Sequence, residues 1–473
     1  MSKRVIILGG GLAGLSCGYE LSKNGHQVVV LEREPHIGGM ASSFIEDGDE
    51  YWTHDFGPHR FHSSDQNLIK HVEEILGDNV VWAERLSRIV LFNRFFDYPL
   101  SAKNVLKNMP PHLLVRAFLD YFWVRCQDTL KLKKFTDQSF EDWVTRRFGK
   151  TLYRIFFGQY TEKAWGMSPS QISSNWASQR ITLLSLWDTV MKTLFPGKGG
   201  TPRTLVRKFI YPKYGGIGEL ARGYARRIEE HGGQVLVNSP AIKIHLDEDK
   251  HVTGIEYGKH KRELLTGDVY INTIPITSLV KALSPAAPDA VLGHIKALQY
   301  ISIVFVYLKL DRETVSPDSW VYLPEKHLTV HRISEFRNFS KTASPPGKTM
   351  ICAEITCRRG DEIWRMNEND LRDTAEKDLM SVGLIEKDEI LDAFIKRIPY
   401  AYPVYDLQYE SHLRPIQGFI QDLKGIITTG RQGNFRYNNM DQSVEMGRAV
   451  ADEIHTGLHT GHQAVATGKE YFG

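Results

Sequence analysis

Arg4-Val5-Ile6-Ile7-Leu8-Gly9-Gly10-Gly11-Leu12-Ala13-Gly14, running into the helical pattern Leu15 to Asn24, is the stretch from which the fold can be read. An apolar run of strand length ends in G-x-G-x-x-G, and a helix begins at once. Gly9 permits the tight turn, Gly11 lets a pyrophosphate lie against the backbone, and Gly14 lets the helix pack closely on the strand. The helix N-terminus, with Ala13 in its first turn, offers N–H groups to phosphates. A second strand, Gln27 to Leu31, ends in Glu32, 18 residues after Gly14, where a carboxylate accepts hydrogen bonds from an adenosine ribose. The same charge repels a ribose 2'-phosphate, which disfavours NADP. Strand, glycine turn, helix, strand and acid in that order predict a dinucleotide-binding unit of α/β class.

The chain of 473 residues has room for about three units of about 150 residues each. Fifty-nine Lys and Arg against 56 Asp and Glu leave a formal +3, too balanced for a protein whose main task is coating nucleic acid or an anionic membrane. A 42% hydrophobic content fills a sizeable core, and 22 Phe, 20 Tyr and 9 Trp can stack on planar ligands. Cys17, Cys126, Cys352 and Cys357 form no C-x-x-C, so neither a zinc ribbon nor a dithiol redox pair is expected, and a reducing, cytoplasmic compartment fits best. No stretch approaches the ~20 apolar residues of a transmembrane segment. Leu113 to Cys126, interrupted by Arg116, Asp120 and Arg125, reads as an amphipathic helix. No secretory signal is expected at the N-terminus, because Arg4 to Gly14 reads as the strand and glycine turn.

Further along, Tyr211-Pro-Lys-Tyr-Gly215-Gly216-Ile-Gly218 leads into a helix through Glu230, closed by Gly232-Gly233. A hairpin is expected from strands Gln234 to Leu246 and His251 to Tyr257 around the turn Asp247 to Lys250. A buried strand, Asp268 to Pro275, precedes a helix from Ile276 to Leu283. Ser101 to Leu194 is helix-patterned and holds Trp123, Trp143, Trp165, Trp176 and Trp187; Ser139 to Asp142 reads as a capping box, with Phe140, Trp143, Val144 and Phe148 on one face. Phe195 to Thr204, rich in Pro and Gly, is a linker or a lid. Alternating runs such as Ile301 to Leu310 and Thr349 to Ile355 are strands of a substrate-side sheet. His455, His459 and His462 lie in a Thr-, Gly- and His-rich end read as a mobile tail rather than a metal site. His59 and His62 form H-x-x-H without a third ligand, so no metal is expected there either.

Glu32-Arg33-Glu34 runs into Ile37-Gly38-Gly39-Met40. A glycine pair at this distance from the ribose acid resembles the flavoprotein superfamily of amine oxidases, protoporphyrinogen oxidases, phytoene desaturases and UDP-galactopyranose mutases, and the resemblance implies FAD, with Arg33, Gly38, Gly39 and Met40 at the cofactor. Four further motifs resemble the UDP-galactopyranose mutase family in particular: Gly57-Pro58-His59-Arg60-Phe61-His62-Ser63, Tyr160-Thr161-Glu162-Lys163-Ala164-Trp165-Gly166, Thr329-Val330-His331-Arg332-Ile333-Ser334-Glu335, and Gly430-Arg431-Gln432-Gly433-Asn434-Phe435-Arg436-Tyr437-Asn438-Asn439-Met440-Asp441. The likeness extends from Gly9 to Gly447.

That resemblance implies a Rossmann-like, three-layer FAD domain assembled from 1–100, 205–290 and 400–460, a helical substrate or lid domain over 101–200, a mixed β-sheet substrate domain over 291–399, and the tail 461–473. It places Gly57, Arg431, Met440 and Asp441 at FAD, His59 beside the flavin, and Arg180 and Arg332 as two guanidinium forks on the diphosphate of a nucleotide sugar. Tyr160 and Trp165 stack on the base, and Tyr402 and Tyr437 add hydroxyl donors. Asp441 is read as the cap of the following helix, whose Val444, Gly447, Val450 and Ile454 share a face. The implied activity is pyranose–furanose isomerisation through attack of reduced flavin N5 on the anomeric carbon, in cell-surface polysaccharide biosynthesis. The alternative is an oxidoreductase of the amine oxidase or protoporphyrinogen oxidase type that takes a hydride from an amine, a ring or a sugar hydroxyl. Arg60, Phe435 and Asn438 depart from the mutase pattern and leave the substrate open. Partners are a small-molecule substrate and no nucleic acid, and the reading permits an oligomer.

Overall fold

A computed structural model describes residues 1–47, 51–98, 100–130, 136–176, 208–458 and 461. The chain divides into two compact units, Met1–Ala83 with Phe209–Gln299 and Tyr409–Gly468, and Glu84–Lys208 with Tyr300–Gln408 and Lys469–Gly473.

In the first unit, five of the described strands form a parallel sheet in the order Ile426–Thr428, Val269–Asn272, Arg4–Leu8, Gln27–Leu31, Gln234–Leu236. Val5 to Leu8 lie at its centre and are fully buried, the position a continuous apolar strand requires when both faces are covered. Helix Leu12–Lys23 follows and packs against Glu219–Glu230 and Met440–Thr456. The approach to Met440–Thr456 is close enough that a Cβ on Gly447 would stand 2.2 Å from the Ala13 carbonyl oxygen, so only glycine fits. Val444, Val450 and Ile454 are buried on the same face.

A second sheet of this unit runs Glu263–Leu265, Val252–Tyr257, Ala241–Leu246, Leu283–Ser284. The expected hairpin forms, with Asp247 Oδ1 accepting from the amides of Asp249 and His251 at its turn. Its first strand is divided, however: Gln234–Leu236 joins the parallel sheet and Ala241–Leu246 the other. Asn238 takes a left-handed φ of 51° and Pro240 has no N–H to donate, so the ladder breaks between them.

In the second unit, the described strands form a mixed sheet in the order Ile390–Pro403, Tyr300–Leu310, Thr349–Cys357, Arg332–Glu335, Trp320–Tyr322, Ser87–Leu91, Arg94–Asp97. All neighbours are antiparallel except Trp320–Tyr322 with Ser87–Leu91. Val304, Val306, Leu308, Ile351 and Ala353 build its core with Leu371, Ala375 and Leu379 of helix Glu368–Ser381. Ser87–Leu91 pairs with Trp320–Tyr322, and Arg88 grips the buried Asp318 carboxylate at 2.6 Å. These contacts place the division near residue 83 rather than the expected 100, and Tyr300 to Gln408, rather than 291–399, falls in this unit together with the helices after residue 101.

Among those helices, Phe140–Phe148 starts with the expected capping box of Ser139 and Asp142 and buries Phe140, Trp143, Val144 and Phe148. The helix expected over Leu113 to Cys126 spans Pro111–Thr129, but its Val115, Phe118, Leu119, Phe122 and Trp123 are exposed rather than buried. Among the described residues no helix is long and apolar enough to cross a membrane.

Candidate active site

The nucleotide end is built where strand Arg4–Leu8 stops. Gly9 donates to the Leu31 carbonyl at 2.8 Å and adopts φ 104°, which turns the chain through the space in front of the sheet. Gly11 occupies the N-cap of helix Leu12–Lys23 with no side-chain cap on its amides. The second glycine turn is tied to the first: Gly38 donates to the Gly10 carbonyl at 2.7 Å, and Gly11 and Gly38 form a parallel bridge. No heavy atom lies within 4 Å of where a Gly11 Cβ would stand, and a Gly39 Cβ would meet only Gly11 Cα at 3.7 Å. Backbone amides thus border open space at a helix N-terminus, which is the cradle a pyrophosphate needs.

Glu32 accepts from the Gly10 amide at 2.8 Å and the Glu34 amide at 2.9 Å, while burial pushes its pKa upward. Arg33 points to Glu34 in an exposed ion pair, and Met40 is half-buried in the short turn Gly39–Ala41. Gly57 is buried at φ 77°, and the amide of His59 donates to its carbonyl, leaving the imidazole half-buried. Arg60 bonds the Pro58 carbonyl and lies over Phe209, 5.9 Å from the ring centroid.

The sequence did not point to Asp55, which organises this region from beneath. Fully buried, it accepts from Ser43 Oγ at 2.5 Å, Tyr211 OH at 2.6 Å and the Ile217 amide at 3.3 Å, and burial pushes it up to about 7. It thereby joins strand Tyr51–Asp55, which leads to Gly57, to the Gly215–Gly218 turn.

The C-terminal motif returns to the first glycine turn. A Cβ on Gly430 would meet Ala13 Cβ at 2.9 Å, so Ala13 is approached by both Gly430 and Gly447. Arg431 donates from Nε to the Asn438 carbonyl at 3.0 Å, and Nη2 reaches the same oxygen; its guanidinium lies over Tyr437, 4.9 Å from the centroid. The arginine therefore laces its own loop. Asn438, fully buried, donates to Ser443 Oγ at 3.0 Å.

Asp441 does not cap the last helix. Asn439 does, in a reciprocal pair with Gln442, and Asp441 sits in the first turn after Met440. The cap must precede the first helical residue, and Asp441 is already inside. Its Oδ1 is buried without a hydrogen-bond partner, and burial pushes the carboxyl up to about 6.

The second unit gathers a different set. Strands Arg332–Glu335 and Thr349–Cys357 pair so that Arg332 faces Glu354, and the guanidinium fork is already engaged: Nε donates to Oε1 at 2.7 Å and Nη2 to Oε2 at 2.6 Å. Glu354 is 1% exposed. The pair is neutral overall, so Arg332 retains outer N–H donors but little net charge. The Tyr160 and Tyr402 hydroxyls interact electrostatically with Arg332, and burial holds the Tyr160 pKa well above its ordinary value.

Tyr160 packs edge-on against Tyr322 at 5.3 Å and lies 6.0 Å from the His331 ring. Trp165 meets Trp176 at 5.2 Å and Tyr402 at 6.2 Å. His331 is fully buried, kept neutral by desolvation and by the neighbouring Arg332 and Lys163 charges, and its Nδ1 has no hydrogen-bond partner.

Lys163 explains how these residues are held. Its ammonium donates to the Leu323, Glu325 and Val330 carbonyls at 2.7, 3.0 and 2.8 Å, stitching helix Gln159–Trp165 to the turn before Arg332. Burial lowers its pKa to about 7. Asp378 completes the turn by accepting from the Thr329 and Val330 amides.

Of the expected substrate contacts, Tyr160, Trp165, Tyr402 and Arg332 come together in the second unit, while Tyr437 and His59 belong to the first. Arg180 lies outside the described residues, as do Trp187, the Phe195 to Thr204 loop, and His459 and His462. Sequence reasoning missed Glu354 and Tyr322 and gave Lys163 no role. The run Thr349 to Ile355 could have flagged Glu354, the one charged residue on that buried strand.

Comparison with known proteins agrees with this geometry. The profile of the family described as flavin containing amine oxidoreductase matches residues 12–455. A probable UDP-galactopyranose mutase of Klebsiella pneumoniae is 26% identical over 178 residues, 37% of this chain and 44% of that protein, so the match spans less than half of the relative. A 15-cis-phytoene desaturase of Synechococcus elongatus is 23% identical over 376 residues, 74% of this chain and 73% of the other. The crystal structure of a reduced UDP-galactopyranose mutase superposes with a TM-score of 0.82 at 20% identity, covering 98% of this chain and 96% of that one, which shows a shared fold. With its glycine cradle, the Glu32 carboxylate beside it and the returning helix Met440–Thr456 in one unit, and with the profile matching residues 12–455, the chain belongs to the flavin containing amine oxidoreductase family.

Proposed function

We propose that the protein is a FAD-dependent enzyme of the UDP-galactopyranose mutase type, acting on a nucleotide sugar. The observation that carries this reading is the cluster in the second unit, where Tyr160, Tyr402 and a carboxylate-braced Arg332 are drawn together with Trp165 from three distant stretches of sequence. An aromatic wall beside hydroxyl and guanidinium donors suits a base carrying a diphosphate. A purely apolar substrate has no use for a buried arginine.

The fit of the first unit to FAD rests on the open cradle at Gly11 and Gly39 and on Glu32. Gly9 to Gly14 would hold the pyrophosphate and Glu32 the ribose. The flavin supplies a nucleophilic nitrogen when reduced and a hydride acceptor when oxidised. The chain's own contribution is positional and electrostatic. The first-turn amides of Met440–Thr456 would favour negative charge on a flavin bound beside them, and Asp441 would oppose it unless protonated. The Tyr160 hydroxyl, held protonated by burial, and the Tyr402 hydroxyl donate to phosphate oxygens, and the outer edge of Arg332 takes the developing charge as the diphosphate departs.

A second reading, a desaturase or oxidase, is favoured by one observation: Glu354 cancels the Arg332 charge that a diphosphate site calls for. Incubating the FAD-loaded, dithionite-reduced protein with UDP-, dTDP- and GDP-hexopyranoses and resolving products by chromatography and NMR separates the two. Furanose product supports the proposal. No interconversion of any nucleotide sugar, with rapid bleaching of oxidised flavin by an amine or polyene, overturns it in favour of the oxidoreductase.

A further inference from the structure

Helix Pro111–Thr129 breaks the rule that a helix turns its apolar stripe inward. Val115, Phe118, Leu119, Phe122 and Trp123 follow the i, i+3, i+4, i+7, i+8 spacing of a core-facing stripe, yet each is 60–62% exposed. The buried side of the helix is supplied instead by Ala117 and Val124. The stripe runs about 12 Å along the axis at about 1.5 Å per residue. Leu106 of the preceding helix Ala102–Asn108 is likewise exposed at 57%. Contiguous exposed apolar area of this kind marks a surface that is covered in use.

The charges around it are sorted. Lys103, Lys107, His112 and Arg116 are exposed. The helix's two acids face the protein: Asp120 accepts from the Thr151 amide at 2.9 Å and its hydroxyl at 2.5 Å, and Asp128 pairs with Arg146 at 3.2 Å. We infer that this face is a monotopic docking surface for an anionic phospholipid membrane, with Phe118, Leu119, Phe122 and Trp123 entering the headgroup–acyl boundary and Lys103, Lys107 and Arg116 meeting lipid phosphates. Amphipathic elements that lie in the interface have this composition, aromatic and aliphatic side chains flanked by Lys and Arg. A second copy of the chain fits less well. A two-fold contact would set Lys103, Lys107 and Arg116 against a face whose helix acids, Asp120 and Asp128, are already engaged with Thr151 and Arg146. This surface is independent of the proposed chemistry, and its test does not involve turnover.

The test is co-sedimentation of the FAD-loaded full chain with vesicles of phosphatidylcholine alone or with phosphatidylglycerol at about 30%, in about 0.1 M and 0.5 M salt. Binding is expected on the anionic vesicles, with clear weakening at the higher salt. The double variant Phe122→Ser/Trp123→Ser and the charge variant Lys107→Glu/Arg116→Glu should each weaken binding at least about tenfold. Both should keep the wild-type melting temperature and flavin content, since every altered side chain is exposed. No sedimentation with anionic vesicles overturns the inference, as does equal binding by wild type and variants. It is overturned too if sedimentation velocity shows a wild-type dimer that Phe122→Ser/Trp123→Ser dissociates, because the face then belongs to a second copy.

Discussion

Replacing Glu354 by alanine leaves the Arg332 guanidinium buried without its carboxylate. The two fork bonds are 2.7 and 2.6 Å long, and the side chains are 15% and 1% exposed. At an effective dielectric constant of about 20, unit charges 2.6 Å apart attract by about 6 kcal/mol. Dehydrating each ion costs several kcal/mol, so the intact pair contributes little more than two apolar side chains of the same volume. Truncating one partner is another matter, because the remaining charge stays dehydrated without compensation; the expected cost is about 3–5 kcal/mol. Urea unfolding followed by tryptophan fluorescence and far-UV circular dichroism should show this loss for Glu354→Ala. The double variant Arg332→Met/Glu354→Leu should regain most of it, since no charge is left stranded. A loss below about 1 kcal/mol, the range of exposed ion pairs, would refute the reasoning, as would a double variant no more stable than the single one.

Three further outcomes follow from the same geometry. Lys163, lowered to about 7 in the folded protein against about 10.4 unfolded, binds fewer protons folded than unfolded between those values, so stability should rise with pH across that window, by at most about 1.4 kcal/mol per unit. Lys163→Met should flatten this rise in urea titrations from pH 7 to 10. Asp441, raised to about 6, has the opposite sign: the folded state binds more protons between about 4 and 6, so its contribution falls as pH rises there, and Asp441→Asn should remove that fall. Gly11→Val should leave the melting temperature of the flavin-free protein within a few degrees but abolish flavin retention on gel filtration, whereas Gly447→Val, colliding with the Ala13 carbonyl, should destabilise by at least about 1–3 kcal/mol.

Several features were legible because their causes are local. The Ser139–Asp142 cap depends on residues one helical turn apart, and the G-x-G-x-x-G turn and Glu32 meet within one strand–helix–strand segment. Where local rules competed, the reading slipped by a few residues. Asp441 and Asn439 are both good capping residues, and only the position of the first helical amide selects Asn439. Gln234 to Leu246 is apolar enough for one strand, but Asn238 and Pro240 divide it between two sheets. The boundary expected at 100 lies near 83 because Ser87–Leu91 finds its partner in Trp320–Tyr322, which no property of residues 87–91 announces. The near-neutral total of +3 likewise conceals the sorting of charge on helix Pro111–Thr129, since a sum carries no direction.

The order of strand, glycine turn, helix and acid was enough to specify a dinucleotide-binding α/β unit, because backbone sterics and hydrogen bonding within one βαβ segment leave few alternatives. Which side chains meet across the chain could not be read in the same way. Arg332 faces Glu354 through the register of two antiparallel strands, and Lys163 finds carbonyls 160 and more residues away. Those partners are selected by the packing of the whole sheet, where a shift of one residue would turn Glu354 to the opposite face and leave the arginine unpaired.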